Sequence, residues 1–231
     1  MCGRLNVSDD PFVRGLYQAL GFAEDIHFLH SRFIRAAAPV SIVRSDRQHG
    51  RVLQTALWWL LLDKTEQGFK PGKYTSFNSR YDKITQPGSA SYLPFKQSRC
   101  VFVVRGFGET QVMPDKRTLY HDFIGDQCGL LLGGVCRSWR HPNTGEEQWS
   151  CSVITLPPHP KLAPYHSKSM PLILPQQGDW LEAWLDPTLT NIQPLLPLLT
   201  PALANNLTAV PIDKPGSFTP VGEPFSIPAD A

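Results

Sequence analysis

Arg99-Cys100-Val101-Phe102-Val103-Val104-Arg105-Gly106-Phe107-Gly108-Glu109 is the stretch on which the fold is read. After Arg99 the run is almost continuously apolar and has the length of one strand, which is the pattern of a β-strand buried on both faces. It leads directly into Gly106 and Gly108, which read as a turn. A Glu delivered by such a turn at the end of a buried strand is well placed to sit in a pocket. A surface turn carboxylate is the commoner use of such a position, and the stretch alone leaves both readings open.

Outward from this stretch, short β-like runs separated by turns dominate. Downstream, residues 119–123, 128–139 and 148–155 read as strands, the last two forming a hairpin around His141-Pro142-Asn143-Thr144-Gly145. The Pro-rich residues 156–164 lead into Tyr165-His166-Ser167-Lys168-Ser169-Met170-Pro171 and read as an ordered loop within the domain. Residues 180–185 read as a short helix, a Leu-rich segment near 192–207 as another, and 207–212 as the last strand. From about 214 to 231 a loose tail is expected.

Upstream, Asp9-Asp10-Pro11 supplies N-cap candidates and a Pro suited to a first helical turn, and Phe12, Val13, Leu16, Tyr17 and Leu20 follow at helical spacing. Pro39 opens a short strand. Residues 51–62 read as a longer one carrying Trp58 and Trp59, which on a strand would place one ring on each face; both packing inside is the alternative. Asn78 and Arg80 lie between a turn at Pro71-Gly72 and a candidate helix start, where Asn78 can serve function or act as a cap.

With 231 residues, 42% of them hydrophobic, the chain can build a core without staples, and one domain spanning 1–231 is the simplest count. A net charge of +2 does not mark a nucleic-acid binder, although a basic groove can hide in a nearly neutral total. Cysteines at 2, 100, 128, 136 and 151 include no Cys-x-x-Cys pair, so neither a disulfide framework nor a zinc site is suggested, and a reducing, cytoplasmic setting is expected. The longest apolar run, 56–62, is too short to cross a bilayer.

At the other end stands Met1-Cys2-Gly3-Arg4. Cys2 is small enough for Met1 to be removed, which would leave an α-amine and a thiol on one residue. Their reference pKa values, about 8 and about 8.5, put both within reach of deprotonation near neutral pH. An aldehyde meeting this 1,2-aminothiol can form an imine at nitrogen and close through sulfur to a thiazolidine. A loose terminal cysteine is the ordinary alternative.

Met1-Cys2-Gly3-Arg4, Asn78-Ser79-Arg80, Gly106-Phe107-Gly108-Glu109 and His166 shortly before Met170-Pro171, in this order, resemble the SRAP family (SOS response-associated peptidase) of abasic-site processing proteins. The resemblance covers roughly residues 2–213. It implies a single β-rich α+β domain, with mixed and antiparallel sheets curled around a core and a few flanking helices. It also implies binding of single-stranded DNA at an abasic site and a covalent thiazolidine with the ring-opened sugar. On that pattern Cys2 is the nucleophile, Asn78 orients the terminus or the sugar, and Glu109 and His166 move protons. Arg4, Arg80 and Lys168 would hold phosphates, with Pro39, Trp58, Trp59 and Phe107 as surfaces for unstacked bases.

No cofactor, metal or membrane is called for, and a monomer, nucleoid-associated when on DNA, is expected. Three departures stand out. The common Gly-Phe-Tyr-Glu-Trp is Gly106-Phe107-Gly108-Glu109-Thr110 here, His-x-Arg-Met-Pro is His166-Ser167-Lys168-Ser169-Met170-Pro171, and the Glu after Asn-Ser-Arg appears as Asp82. Two other functional classes share features of the chain. Glutamine amidotransferases with an N-terminal Cys also begin Met-Cys-Gly, but Arg4 replaces their usual apolar residue. A single-stranded DNA sensor would use the basic residues without the chemistry.

Overall fold

The computed structural model describes residues 3–230. The order is β1 (Arg4–Val7), α1 (Pro11–Ala19), β2 (Ser31–Arg35), β3 (Pro39–Asp46), β4 (Gly50–Leu57), β5 (Leu62–Lys64), β6 (Phe69–Pro71), β7 (Asn78–Arg80), α2 (Tyr81–Ile84) and α3 (Tyr92–Gln97). There follow β8 (Arg99–Val104), β9 (Gly106–Val112), β10 (Thr118–Gly125), β11 (Leu130–Arg140), β12 (Glu147–Leu156), β13 (Met170–Pro171), α4 (Trp180–Leu185), a 3-10 helix (Gln193–Leu199), β14 (Leu207–Ile212) and β15 (Phe225–Ile227).

These strands form two main sheets, making the chain a β-rich α+β protein. One runs β15-β14-β10-β9-β1-β2 and is antiparallel throughout. The other runs β11-β8-β3-β4-β12-β13, and β11 also pairs with β12, so the sheet curls round and closes on itself. Its seam between β4 and β12 is parallel, at Leu57 opposite Ser150, and β7 lies parallel to β12. Closure protects β11 and β12 from acting as open edges.

Every residue of β8 is buried. It pairs with β3 and β11 within the curled sheet and is contacted by α1, α3, α4 and β1, which is why its sequence is apolar rather than alternating. Arg99 at its start is buried too, and its guanidinium donates to the carbonyls of Phe95, Lys96, Trp184, Asp186 and Leu189, so the charge ties α3 and the end of α4 to the barrel. α1 begins as its sequence requires: Asp10 Oδ1 accepts from the amides of Phe12 and Val13, Pro11 occupies the first turn, and Val13 and Tyr17 are buried.

Four expectations need correction. β4 stops at Leu57, because Trp58 turns to donate its amide to Ala38 O at 3.0 Å; the two Trp residues do not share a strand. Glu109 is not on a turn: β9 runs unbroken through it, and the break falls at Arg105. The Leu-rich segment forms only the 3-10 turn at Gln193–Leu199, where Pro194 and Pro197 lack the amides a longer α-helix needs. Residues after 214 are no loose tail, since β15 pairs with β14, Leu207 opposite Ile227.

Gly106 is required by packing: a Cβ there would lie 2.2 Å from Phe123 O and 2.9 Å from Ile124 Cα on β10. Gly106→Ala should therefore lose about 1–3 kcal/mol of stability through overpacking between backbones. Gly15→Ala in α1, where a Cβ meets nothing within 4 Å, should be neutral or gain up to about 1 kcal/mol. Urea midpoints of the two variants, measured side by side, check the contrast.

Candidate acid–base site

The site is built on the β1–β9–β10 ladder. Arg4 stands opposite Gly108, which stands opposite Asp122; Glu109 stands opposite His121. Directly opposed residues share a face of a sheet. Arg4, Gly108 and Asp122 therefore belong to one face, and Glu109 and His121 to the other.

Glu109 is 4% exposed, and its Oε1 makes no hydrogen bond to any described residue. Burial raises its carboxyl to about 7, with the Arg4 guanidinium working in the opposite direction. Its Oε2 lies 3.4 Å from His166 Nδ1, which is also 3.2 Å from Thr110 O. A carbonyl can only accept, so Nδ1 carries hydrogen in that bond and the neutral imidazole has its lone pair on Nε2. Burial lowers the His166 pKa, opposed by the Thr110 bond and aided by Lys168. Near neutral pH the pair is thus an acid with its proton half on beside a base without one.

His166 comes from the loop between β12 and β13. Gln111 Nε2 donates to Pro164 O at 2.8 Å, and the Tyr165 ring packs on His121 and Phe123 at 5.2 and 5.9 Å. Asn78 enters on β7, opposite Val153 of β12, so a strand fixes it where a loop was expected. The preceding Phe77 accepts the Trp58 indole N–H at 2.8 Å, and its ring comes 3.7 Å from where a Cβ on Gly3 would sit. Gly3 in turn accepts the Ala36 amide at 3.3 Å. β7 and the start of the described chain therefore meet at one place. Cys2, bonded to Gly3, lies outside the described residues.

Three of the expected DNA contacts are turned inward. Trp58 and Phe107 are almost wholly buried, Trp58 against Phe77 and Phe102 and Phe107 stacked on Phe123 at 5.4 Å, so neither ring offers a face to a base. Arg4 is 8% exposed, and its Nη2 donates to Glu109 O and His121 O, which makes it part of the frame behind the acid and not a phosphate clamp. Arg80 is exposed but forms a two-pronged pair with Asp82 at 2.9 and 2.8 Å. Lys168 and Pro39 are exposed, and Trp59 is half-buried, its indole N–H donating to Gly72 O.

Sequence reasoning missed His121 and Asp122. Both are buried; burial and Arg4 lower the His121 pKa, and burial raises that of Asp122. The signal was the turn Met113-Pro114-Asp115-Lys116-Arg117, which sets the β9–β10 register and so puts His121 across from Glu109. Among the described residues no cluster of His, Cys, Asp and Glu is arranged to hold a metal, and no helix is long and apolar enough to cross a membrane.

The ladder thus sets a buried carboxylic acid beside a neutral imidazole, next to a curled sheet. The family is shown by the whole sequence: the SOS response associated peptidase (SRAP) family matches residues 1–215, and the chain belongs to it. It is 29% identical over 163 residues to the abasic site processing protein HMCES of Xenopus tropicalis, a match covering 62% of this chain and 48% of that protein, so the chain spans about half the length of this curated relative. A crystal structure of a protein from Bacteroides thetaiotaomicron superposes with a TM-score of 0.70 at 20% identity, covering 92% of this chain and 93% of that one. One from Bordetella bronchiseptica gives 0.69 at 17% identity, covering 92% and 100%. At these identities the two structures speak for the fold alone.

Glu109 should make stability depend on pH. Below about pH 4.5 the carboxyl is protonated in both folded and unfolded chains and contributes nothing. As pH rises towards 7 the unfolded chain ionises first, so the folded state loses stability progressively, by roughly 3 kcal/mol once both are ionised. Glu109→Gln should remove this trend, gaining stability relative to the parent at pH 8 but not at pH 4. Denaturant unfolding at the two pH values, with infrared titration of the buried carboxyl, measures it.

Proposed function

We propose that the chain is an abasic-site processing protein that binds single-stranded DNA and links itself covalently to the lesion through Cys2. The observation that carries the reading is the Glu109–His166 pair: an acid raised to about 7 by burial, with its Oε2 3.4 Å from Nδ1 of an imidazole that burial favours as neutral and whose Nε2 is left to accept a proton. Support also comes from the register: Arg4 is opposite Gly108, so the chain enters β1 level with Glu109. The name of the Xenopus relative points to the same lesion.

The chemistry uses these groups in turn. Protonated Glu109 assists opening of the abasic sugar to its aldehyde. His166 accepts a proton from the α-ammonium of Cys2, freeing the amine to attack that carbon. The resulting carbinolamine loses its hydroxyl as water, with a proton from the acid, and leaves an imine. The Cys2 thiol adds to the imine carbon, the nitrogen recovers a proton, and a thiazolidine has formed with net loss of one water. Asn78 can hydrogen-bond the amine or the sugar without titrating. The imine stage also offers a lyase route, and release of Met1 is the peptide cleavage that exposes the amine.

On the surface, Arg80 and Lys168 are the proposed phosphate contacts, with Pro39 and Trp59 beside the bases. Pro39 is paired with Leu57, two residues before Trp59, so the two belong to one end of the β3–β4 hairpin.

Intact mass after incubation with single-stranded DNA bearing one abasic site should show protein plus DNA less one water, absent for Cys2→Ala and at least about 100-fold slower to form for Glu109→Gln. Salt-dependent binding without an adduct, from a preparation lacking Met1, would reject the reaction and leave a DNA sensor. Separately, Arg80→Ala should weaken binding and flatten the salt dependence of log K by about 0.7, the share of a single phosphate neutralised on a single strand. An unchanged slope would remove Arg80 from the interface.

A further inference from the structure

The loop carrying His166 is held from two sides. On the β9 side are the bonds already described, from Gln111 to Pro164 O and from His166 to Thr110 O. On the other side is a segment beyond residue 215, where the family match ends. β15 extends the open sheet along β14, and Phe225 at its start packs on Tyr165, the neighbour of His166, with ring centroids 5.1 Å apart. Directly after β15, the chain closes on the base of the loop. Lys161 Nζ donates to Pro228 O, Ala229 O and Asp230 Oδ1 at 2.9, 2.8 and 2.9 Å.

Asp230 Oδ2 accepts the Leu203 amide at 2.8 Å and lies 3.2 Å from His159 Nε2. The Lys161 amide donates to His159 Nδ1, so Nε2 bears the hydrogen and points it at Asp230 without needing a charge. From His159 the backbone turns through bonds from Leu162 and Ala163 to His159 O, and from Tyr165 and His166 to Leu162 O. The base held by Asp230 is thus continuous, one turn at a time, with the imidazole facing Glu109.

We propose that residues 225–230 form a strap that positions the His166 loop, with Phe225 and Asp230 as its positioning residues. The strap fixes both the base of the loop and the residue next to His166, as an acid–base pair must be held to within a fraction of an ångström. Its effect on loop order stands independently of the reaction; its effect on the rate rests on the function proposed above.

The test compares the full chain with Phe225→Leu and Asp230→Ala, alone and in a His166→Ala background. Hydrogen exchange should rise about tenfold or more for amides in residues 159–166 and stay unchanged in β8. Adduct formation on abasic single-stranded DNA should slow by about tenfold in the parent background and not slow further once His166 is absent. Unchanged exchange in the folded variants overturns the strap, as does an equal loss of rate with and without His166. If both variants fail to fold, the segment is a fold element and the proposal also falls. If the parent forms no adduct, the function proposed above fails, while the exchange measurement still decides the strap.

Discussion

Arg105 is the point at which two sheets become one protein. The strand run leaves the curled sheet at Val104 and enters the open one at Gly106, and the residue between them uses both of its backbone groups: its amide donates to Asn6 O at 2.8 Å and its carbonyl accepts the Gly125 amide at 3.1 Å. Its side chain closes the same corner. The guanidinium donates to the carbonyls of Gly125 and Cys128, lies over the Phe12 ring, and sits 3.3 Å from Asp10 Oδ2, the same carboxylate whose other oxygen caps α1. A crossing without such partners would strand polar backbone groups in the interior. With them, β9 is delivered beside β1 at a fixed register.

That register is what buries the acid. A carboxyl on the middle of β9, with His121 opposite and the His166 loop against it, cannot reach bulk water, and its pKa rises because the charged form loses hydration. Arg4 limits the rise. It crosses Gly108, where a Cβ would lie 2.2 Å from its Nε, and donates to Glu109 O and His121 O. Its charge is therefore held in the ladder itself, close enough to Glu109, His121 and Asp122 to bias the titration of all three.

The sequence carried the strands of the barrel plainly, because a buried strand must be apolar and hairpin turns need particular residues: β8, the β11–β12 hairpin, β14 and the capped α1 all lie where those patterns put them. It carried Glu109 and His166 through motif order, not through periodicity. What it concealed follows from long-range pairing. Nothing local to Trp58 shows that its amide turns back to Ala38, and nothing in residues 215–230 announces a strand, since β15 has three residues and takes its partners from β14. The inward course of Arg4 was hidden for the same reason: an Arg following Cys2-Gly3 reads as a phosphate ligand until the residue opposite it proves to be a glycine.

The departures from the family pattern become intelligible at this level. Thr110 serves His166 through its carbonyl oxygen, a group every residue possesses, so exchanging a Trp for Thr at this position leaves that bond available. Gly108 gives the Arg4 guanidinium a path that any side chain would obstruct, coupling the loss of one aromatic to the burial of one charge. The longer spacing between His166 and Met170 falls after the residues that anchor the loop, since Lys161, Pro164 and Tyr165 make their contacts before His166. The extra residue thus lengthens the exit to β13 without moving the entry. These three changes alter a side chain or a length away from the Glu109–His166 contact, and the geometry of that contact is set by backbone and register.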